Sequence, residues 1–247
     1  MVTREKAREP VVRRFPTTSW TMVTAAARDS RESTQALSNL CAAYWFPVYA
    51  FIRCRGHSRE DAEDLCQEFF ARVLQHGVLS SAQRERGKFR SFLLASVTNF
   101  LANEWDRTQA LKRGGGCAPL SLDFDAVESR YREAAHDELT PEALFERQWA
   151  LALLDAVLSR LRAEQTGRGQ AVLFHKLSQF LTGDPERGSY ERLAAEMQVS
   201  EGSVRTAVHR LRRRFTELVR DEIAASVADP GEVEGEIRFL MAALGHV

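Results

Sequence analysis

Residues 189–215 read SYERLAAEMQVSEGSVRTAVHRLRRRF, and the organisation of this stretch decides the fold class. Tyr190 to Met197 forms a first short helix, with Ser189 as its cap. Gln198 and Val199 make the turn. Ser200 is placed to cap a second helix, because its side-chain oxygen can accept from an amide at the helix start. In that second helix Val204, Val208, Leu211 and Phe215 recur at helical spacing and face inward. Ser203, Arg205, Thr206, His209, Arg210 and Arg213 are left toward solvent. Between Arg205 and Arg214 stand five arginines and no acid, whereas an ordinary solvated helix mixes its charges. Two helices, a tight turn and a basic outer face suit reading of a DNA major groove. Arginine can bond two acceptors of guanine at once, and other arginines can hold phosphates.

Helical patterning continues on the N-terminal side. A helix over 141–161 uses Leu144, Trp149, Leu151, Leu154, Val157, Leu158 and Leu161. Before it lies an acidic stretch with Asp123, Asp125, Glu128, Glu133, Asp137 and Glu138 against Arg130 and Arg132, and Gly114, Gly115 and Gly116 end an earlier helical unit. That unit holds three helices. The first places Leu37, Leu40, Cys41, Tyr44, Trp45, Val48, Tyr49 and Ile52 on one face, with Pro47 expected to kink it. The second starts at Ser58, with Asp61 completing a capping box, and carries Ala62, Leu65, Cys66, Phe69, Val73 and Leu74. After a loop from Gly77 to Gly87, the third carries Phe92, Leu93, Ser96, Phe100 and Leu101. Strand signals are scarce. The expectation is an all-α fold of two small helical domains joined by an acidic linker. Its parts are an arm over 1–30, a first domain over 31–113, the linker over 114–140, a second domain over 141–226 and a tail over 227–247.

The whole chain limits the alternatives. Its 247 residues suffice for one large or two small domains. With 44% hydrophobic and 28% charged residues, it can build ordinary soluble cores. No apolar run reaches the length of a membrane span, and the charged start MVTREKAREPVVRRF lacks a secretory core, so a cytoplasmic protein is expected. The formal net charge is zero, which argues against strong unassisted DNA binding while allowing local basic patches. Cys41, Cys54, Cys66 and Cys117 form no CxxC pair. Cys54 and His57 lack a second ligand pair nearby, and neither a metal nor another cofactor is expected.

The phrase VSEGSVRTAVHRLRRRF resembles region 4 of sigma-70 superfamily factors, above all the compact extracytoplasmic-function (ECF) group. YWFPVYAFIRCRGHSREDAEDLCQEFFARVL and RGKFRSFLLASVTNFLANEWDRTQALKR resemble region 2 of the same group, in the same order. The resemblance implies a subunit that binds core RNA polymerase and directs promoter recognition, acting by binding rather than as an enzyme. It assigns Asp61, Glu63, Asp64 and Glu68 to the polymerase clamp. It assigns Arg86, Lys88, Phe89, Arg90, Phe92 and Asn99 to the −10 element, where aromatic faces stack on unpaired bases and cations hold the backbone. Asn99 matches an asparagine that touches the extruded base, and Phe92 stands where many relatives have Trp. The outward set Ser203, Arg205, Thr206, His209, Arg210 and Arg213 falls to the −35 element. The acidic linker matches a segment that threads a basic polymerase channel. Core polymerase and promoter DNA are thus the implied partners, together with an anti-sigma factor or other regulator.

Two rival readings remain. A DNA-binding regulator that never joins polymerase leaves the acidic and aromatic helices without a task. A magnesium nuclease using Asp61, Glu63, Asp64 and Glu68 needs converging carboxylates, whereas these lie on an outward stripe with no Lys or His inside it. The tail adds a last expectation. Asp229-Pro230-Gly231-Glu232 has the form of a helix start, followed by Val233, Ile237, Leu240, Met241 and Leu244. A helix this short is marginal alone, so it should dock on either domain or on a partner.

Overall fold

The computed structural model describes residues 31–75, 88–110, 124–134, 139–181, 188–227 and 229–245. The N-terminal arm, the 77–87 loop with Arg86, the glycines at 114–116 and Cys117 lie outside these. Among the described residues there is no strand, and nine α-helices follow one another: α1 (Arg31–Cys54), α2 (Arg59–Gln75), α3 (Phe89–Ala110), α4 (Phe124–Ala134), α5 (Pro141–Gly167), α6 (Ala171–Leu177), α7 (Ser189–Met197), α8 (Glu201–Ser226) and α9 (Val233–Leu244). The all-α expectation holds.

The core of the first unit is α1 packed on α2. Every position from Tyr44 to Ile52 is buried, Pro47 and both its neighbours included. Pro47 therefore sits inside an uninterrupted helix. Loss of one helical bond there costs roughly 3 kcal/mol, and burying Tyr44, Trp45, Phe46, Tyr49 and Phe51 at about 1.5–3 kcal/mol each more than offsets it. Ser58 caps α2 as its sequence suggests: the Asp61 amide donates to Ser58 Oγ at 3.1 Å, and Ser58 Oγ donates to Asp61 Oδ2 at 2.8 Å. Trp45 stacks on Phe70, and Phe69 leans on Phe100 of α3.

The second unit is built on α5. Thr140 caps it, accepting from the Ala143 amide at 3.1 Å, with Pro141 in its first turn. Helix α8 packs along α5, and Arg214 clamps Glu164 through two bonds of 2.9 and 2.8 Å. The α5 face differs from the expected one. Leu151 is exposed, while Phe145 and Ala150 are fully buried. The reason is that α5 is covered on several sides, by α1, α8 and α9, so a single stripe does not describe it.

The two units are not held apart. The most extensive helix pairing in the fold is α1 on α5, with Phe51 edge-on to Phe145 and Arg55 bonded to Glu142 at 2.9 Å. Part of the acidic segment is itself a helix, α4, laid against α1. Tyr49 Oη donates to Glu128 at 2.6 Å, and Arg53 donates to the same carboxylate at 3.1 and 2.9 Å. Acidic composition alone suggests an extended strand of chain. A half-buried cation on α1, Arg53, gives one of those acids a partner and orders the segment.

The tail is a helix docked within the same molecule. Asp229 Oδ1 accepts from the Gly231 amide at 2.9 Å, Pro230–Glu232 form one 3₁₀ turn, and α9 follows. Helix α9 lies on α5 and α8, burying Val233 and Leu240 but leaving Met241 exposed.

Candidate nucleic-acid and partner interfaces

Three groups of side chains matter. The first is the acidic face of α2. Asp61 and Asp64 point to solvent. Glu63 is engaged by Arg59 of its own helix at 2.8 Å, and Arg59 also reaches Asp125 of α4 at 2.7 Å. Those two carboxylates hold the Arg59 guanidinium even more firmly charged than usual. Glu68 is bonded by Arg72 at 2.6 Å, and Arg72 reaches Glu104 of α3 at 2.5 Å while lying over the Phe100 ring. The four acids expected to meet a partner thus divide. Two are presented outward, and two are tied by arginines one helical turn away. Among the described residues no group of three His, Cys, Asp or Glu side chains could hold a metal ion, and Cys54 spends its thiol on the Leu139 carbonyl at 3.8 Å.

The second group is the start of α3. Asn99 is exposed and Phe92 half-buried. Phe89 is in the core, edge-on to Tyr44 and beside Phe92, so no face of it is open to a base in this conformation. Arg90 is buried too, at 6% exposure. Its Nε and Nη2 donate to Glu236 at 2.6 and 3.3 Å, and its Nη1 donates to Glu146 at 3.2 Å. Its guanidinium lies 3.6 Å from the Phe239 ring centroid and 5.1 Å from that of Trp149. Lys88 pairs with the same Glu236. Burial pushes the Glu236 carboxyl up, but hydrogen bonds from Arg90 and Lys88 outweigh it and leave the group below its ordinary range. Burial dominates at Glu146, which is pushed up despite Arg90. Sequence reasoning missed Glu146, Trp149, Glu236 and Phe239 as parts of this site. Glu236 is 146 positions from Arg90, and no local pattern links them.

The third group is α7, the turn and α8. The first helix begins one residue from the expected cap: Gly188, at φ 81°, is the N-cap of α7, and Ser189 is the first helical residue with its hydroxyl buried and unpartnered. Gln198 closes α7 in the left-handed region at φ 54°. Ser200 caps α8 as expected, accepting from the Ser203 amide at 3.1 Å. Val204, Val208 and Leu211 are buried. All six outward candidates, Ser203, Arg205, Thr206, His209, Arg210 and Arg213, are exposed. Arg205 bonds Glu201 at 2.6 Å and lies over Tyr190, and Arg213 bonds Glu217 at 3.0 Å. The Thr206 hydroxyl donates to the Gly202 carbonyl at 2.8 Å. A groove of about 350 Å³ is lined by Arg210 and Arg168 together with Leu173 and Phe174. The arrangement can place a row of cations and hydroxyls against phosphates and base edges.

Residues 43–110, spanning the second half of α1 and all of α2 and α3, match the family Sigma-70 region 2. The match supports a sigma-factor role in promoter recognition and RNA polymerase binding. No solved structure matches the chain. No described helix is long and apolar enough to cross a membrane.

Proposed function

We propose that a chain whose residues 43–110 match Sigma-70 region 2 works as an alternative sigma factor of the ECF group, in the cytoplasm and without a catalytic step of its own. The observation that carries this reading is the pairing, in one chain, of that region with a second unit whose capped α8 exposes Ser203, Arg205, Thr206, His209, Arg210 and Arg213 together. In this reading 31–113 act as region 2, 114–140 as the linker, 141–226 as region 4 and 227–247 as an added tail. Asp61 and Asp64, with Glu63 and Glu68 behind them, meet the polymerase clamp. Asn99 and Phe92 serve the unpaired −10 strand, and Lys88, Phe89, Arg90 and Arg86 are assigned to the same element. The α8 cations serve the −35 duplex, where bidentate arginine contacts read guanine.

Run-off transcription with purified core polymerase on a promoter library tests the reading. The expected result is initiation from a defined set of promoters, dependent on the chain. Absence of both core binding and initiation overturns it. Specific duplex binding without any affinity for core polymerase favours a free-standing DNA-binding regulator instead.

A further inference from the structure

We propose that helix α9 is an autoinhibitory latch, which holds Arg90 and Lys88 on Glu236 and keeps both cations from single-stranded nucleic acid until it is displaced. The proposal deepens the sigma-factor reading and rests on it for naming the strand as the −10 element.

The geometry around Arg90 is a built receptor for one guanidinium. Three helices contribute: Glu236 and Phe239 from α9, Glu146 and Trp149 from α5, and Arg90 itself from the first turn of α3. All three guanidinium nitrogens are engaged, and an aromatic ring lies on the group at 3.6 Å. Three of its five N–H donors are spent on carboxylates, and burial keeps the group from an external phosphate. Glu236 is almost wholly buried and takes Lys88 as well. One acidic residue therefore pairs with two cations at the helix start where the strand-binding residues gather.

Location makes this a latch rather than a strut. Helix α9 has 12 residues, comes last among the described elements and is joined to α8 by one short 3₁₀ turn. Alone it is marginally stable, so undocking also melts it. A further ion pair, Arg220 to Glu234, lies at an exposed edge. Met241 faces outward, while Val233 and Leu240 are buried and Ile237, Phe239, Ala243 and Leu244 pack against the core. A highly charged competitor with several phosphates can replace one carboxylate, provided the gain exceeds the docking energy of this short helix.

A double-mutant cycle on the full chain provides the test. Four proteins are compared: the intact chain, a truncation after Ala228, Arg90→Gln, and the two changes together. Each is titrated with a fluorescein-labelled, mixed-sequence, 20-nucleotide single-stranded DNA. Circular dichroism checks that each is folded. The latch requires truncation to tighten binding by about fivefold or more. Release of two cations should steepen the log–log salt dependence by about 1.4. Truncation should tighten binding far less in the Arg90→Gln background, where the latch has lost its main partner and the strand one of its contacts, than in the Arg90 background.

Because truncation also deletes acidic residues, a general electrostatic gain is the competing explanation. It predicts the same effect of Arg90→Gln in both backgrounds, and that additivity overturns the proposal. Equal affinity before and after truncation overturns it as well. Should the truncated chain lose helicity, Glu236→Gln with the tail in place carries the same cycle, with the same two outcomes. Run-off transcription on core polymerase is recorded separately. A latch that opens in the cycle while no variant initiates transcription refutes the sigma-factor reading and leaves the latch standing.

Discussion

Glu128 shows how much one side chain can settle. Its carboxylate accepts from Tyr49, Arg53 and Arg132. The Arg53 hydrogen bond, against the opposing effect of burial and with help from Tyr49, lowers its pKa from 4.5 to about 2. A carboxyl lowered on folding stabilises the fold above its unfolded value and loses that contribution as pH falls through the folded one. The contribution is about 3 kcal/mol above pH 5, and it fades between about pH 5 and pH 2. Glu128→Gln is expected to lower stability by about 2–3 kcal/mol at pH 7, somewhat under a fully buried broken pair, because Arg53 keeps a fifth of its side chain in water. Urea titrations of both proteins at pH 7 and pH 3 check this, and the gap should shrink at the lower pH. At the surface the balance is different. Arg205 is paired to Glu201, but an exposed pair one turn apart contributes only about 0.3–0.5 kcal/mol. That is too little to hold it from DNA. Arg205→Ala or Arg210→Ala is therefore expected to weaken binding to the preferred −35 duplex by about 1–3 kcal/mol, with stability unchanged. Fluorescence titration against permuted duplexes reads it, and uniform loss on every sequence would assign the residue to phosphate instead.

Among the elements, the α7–α8 turn is the most exposed to single changes. Gln198 adopts φ 54° to end α7, a conformation that costs an L residue roughly 1 kcal/mol and glycine almost nothing. Gln198→Gly is expected to raise the thermal midpoint, net of the glycine's greater unfolded freedom. The cap of α8 works the other way: Ser200→Ala removes the acceptor for the Ser203 amide and is expected to cost about 1 kcal/mol. Thermal melts of both variants, followed by helicity, should move in opposite directions. If both melt lower, the left-handed turn is held by contacts of the Gln198 side chain rather than tolerated at a cost.

For the whole molecule, α5 is the central element. It touches α1, α8 and α9, and Phe145 is fully buried against Phe51. Two units sharing a helix face of this kind are expected to unfold together, in one transition by fluorescence and by far-ultraviolet signal. Phe145→Ala should cost about 3–5 kcal/mol and either lower that single transition or split it in two. A wild-type protein that already unfolds in two steps would show that the α1–α5 face is weaker than its burial implies. Reversing charge at Asp61 and Asp64 belongs to this scale too. Both are exposed on α2, so the double variant is expected to keep its melting curve and lose affinity for core polymerase. Unchanged affinity would remove α2 from the polymerase interface.

The amino-acid sequence by itself determined the local events. Spacing of apolar residues marked the helices, Ser58 and Ser200 marked two helix starts, and the unbroken run of arginines from Arg205 marked a basic face, because each depends on neighbours within a few residues along the chain. It likewise carried the match of residues 43–110 to Sigma-70 region 2. Three things needed the tertiary structure. Pro47 sits inside a continuous helix because burial on both sides outweighs one lost bond. Part of the acidic segment is a helix because Arg53 and Tyr49, on α1, supply partners to Glu128. Arg90 and Phe89, legible only as nucleic-acid contacts from their place in the chain, are buried because α9 and α5 bring Glu236, Phe239, Glu146 and Trp149 to one of them and the α1 core encloses the other. A charge pattern states what a residue can bind, but which partner reaches it first depends on distances between segments that are far apart along the chain and meet only in the fold.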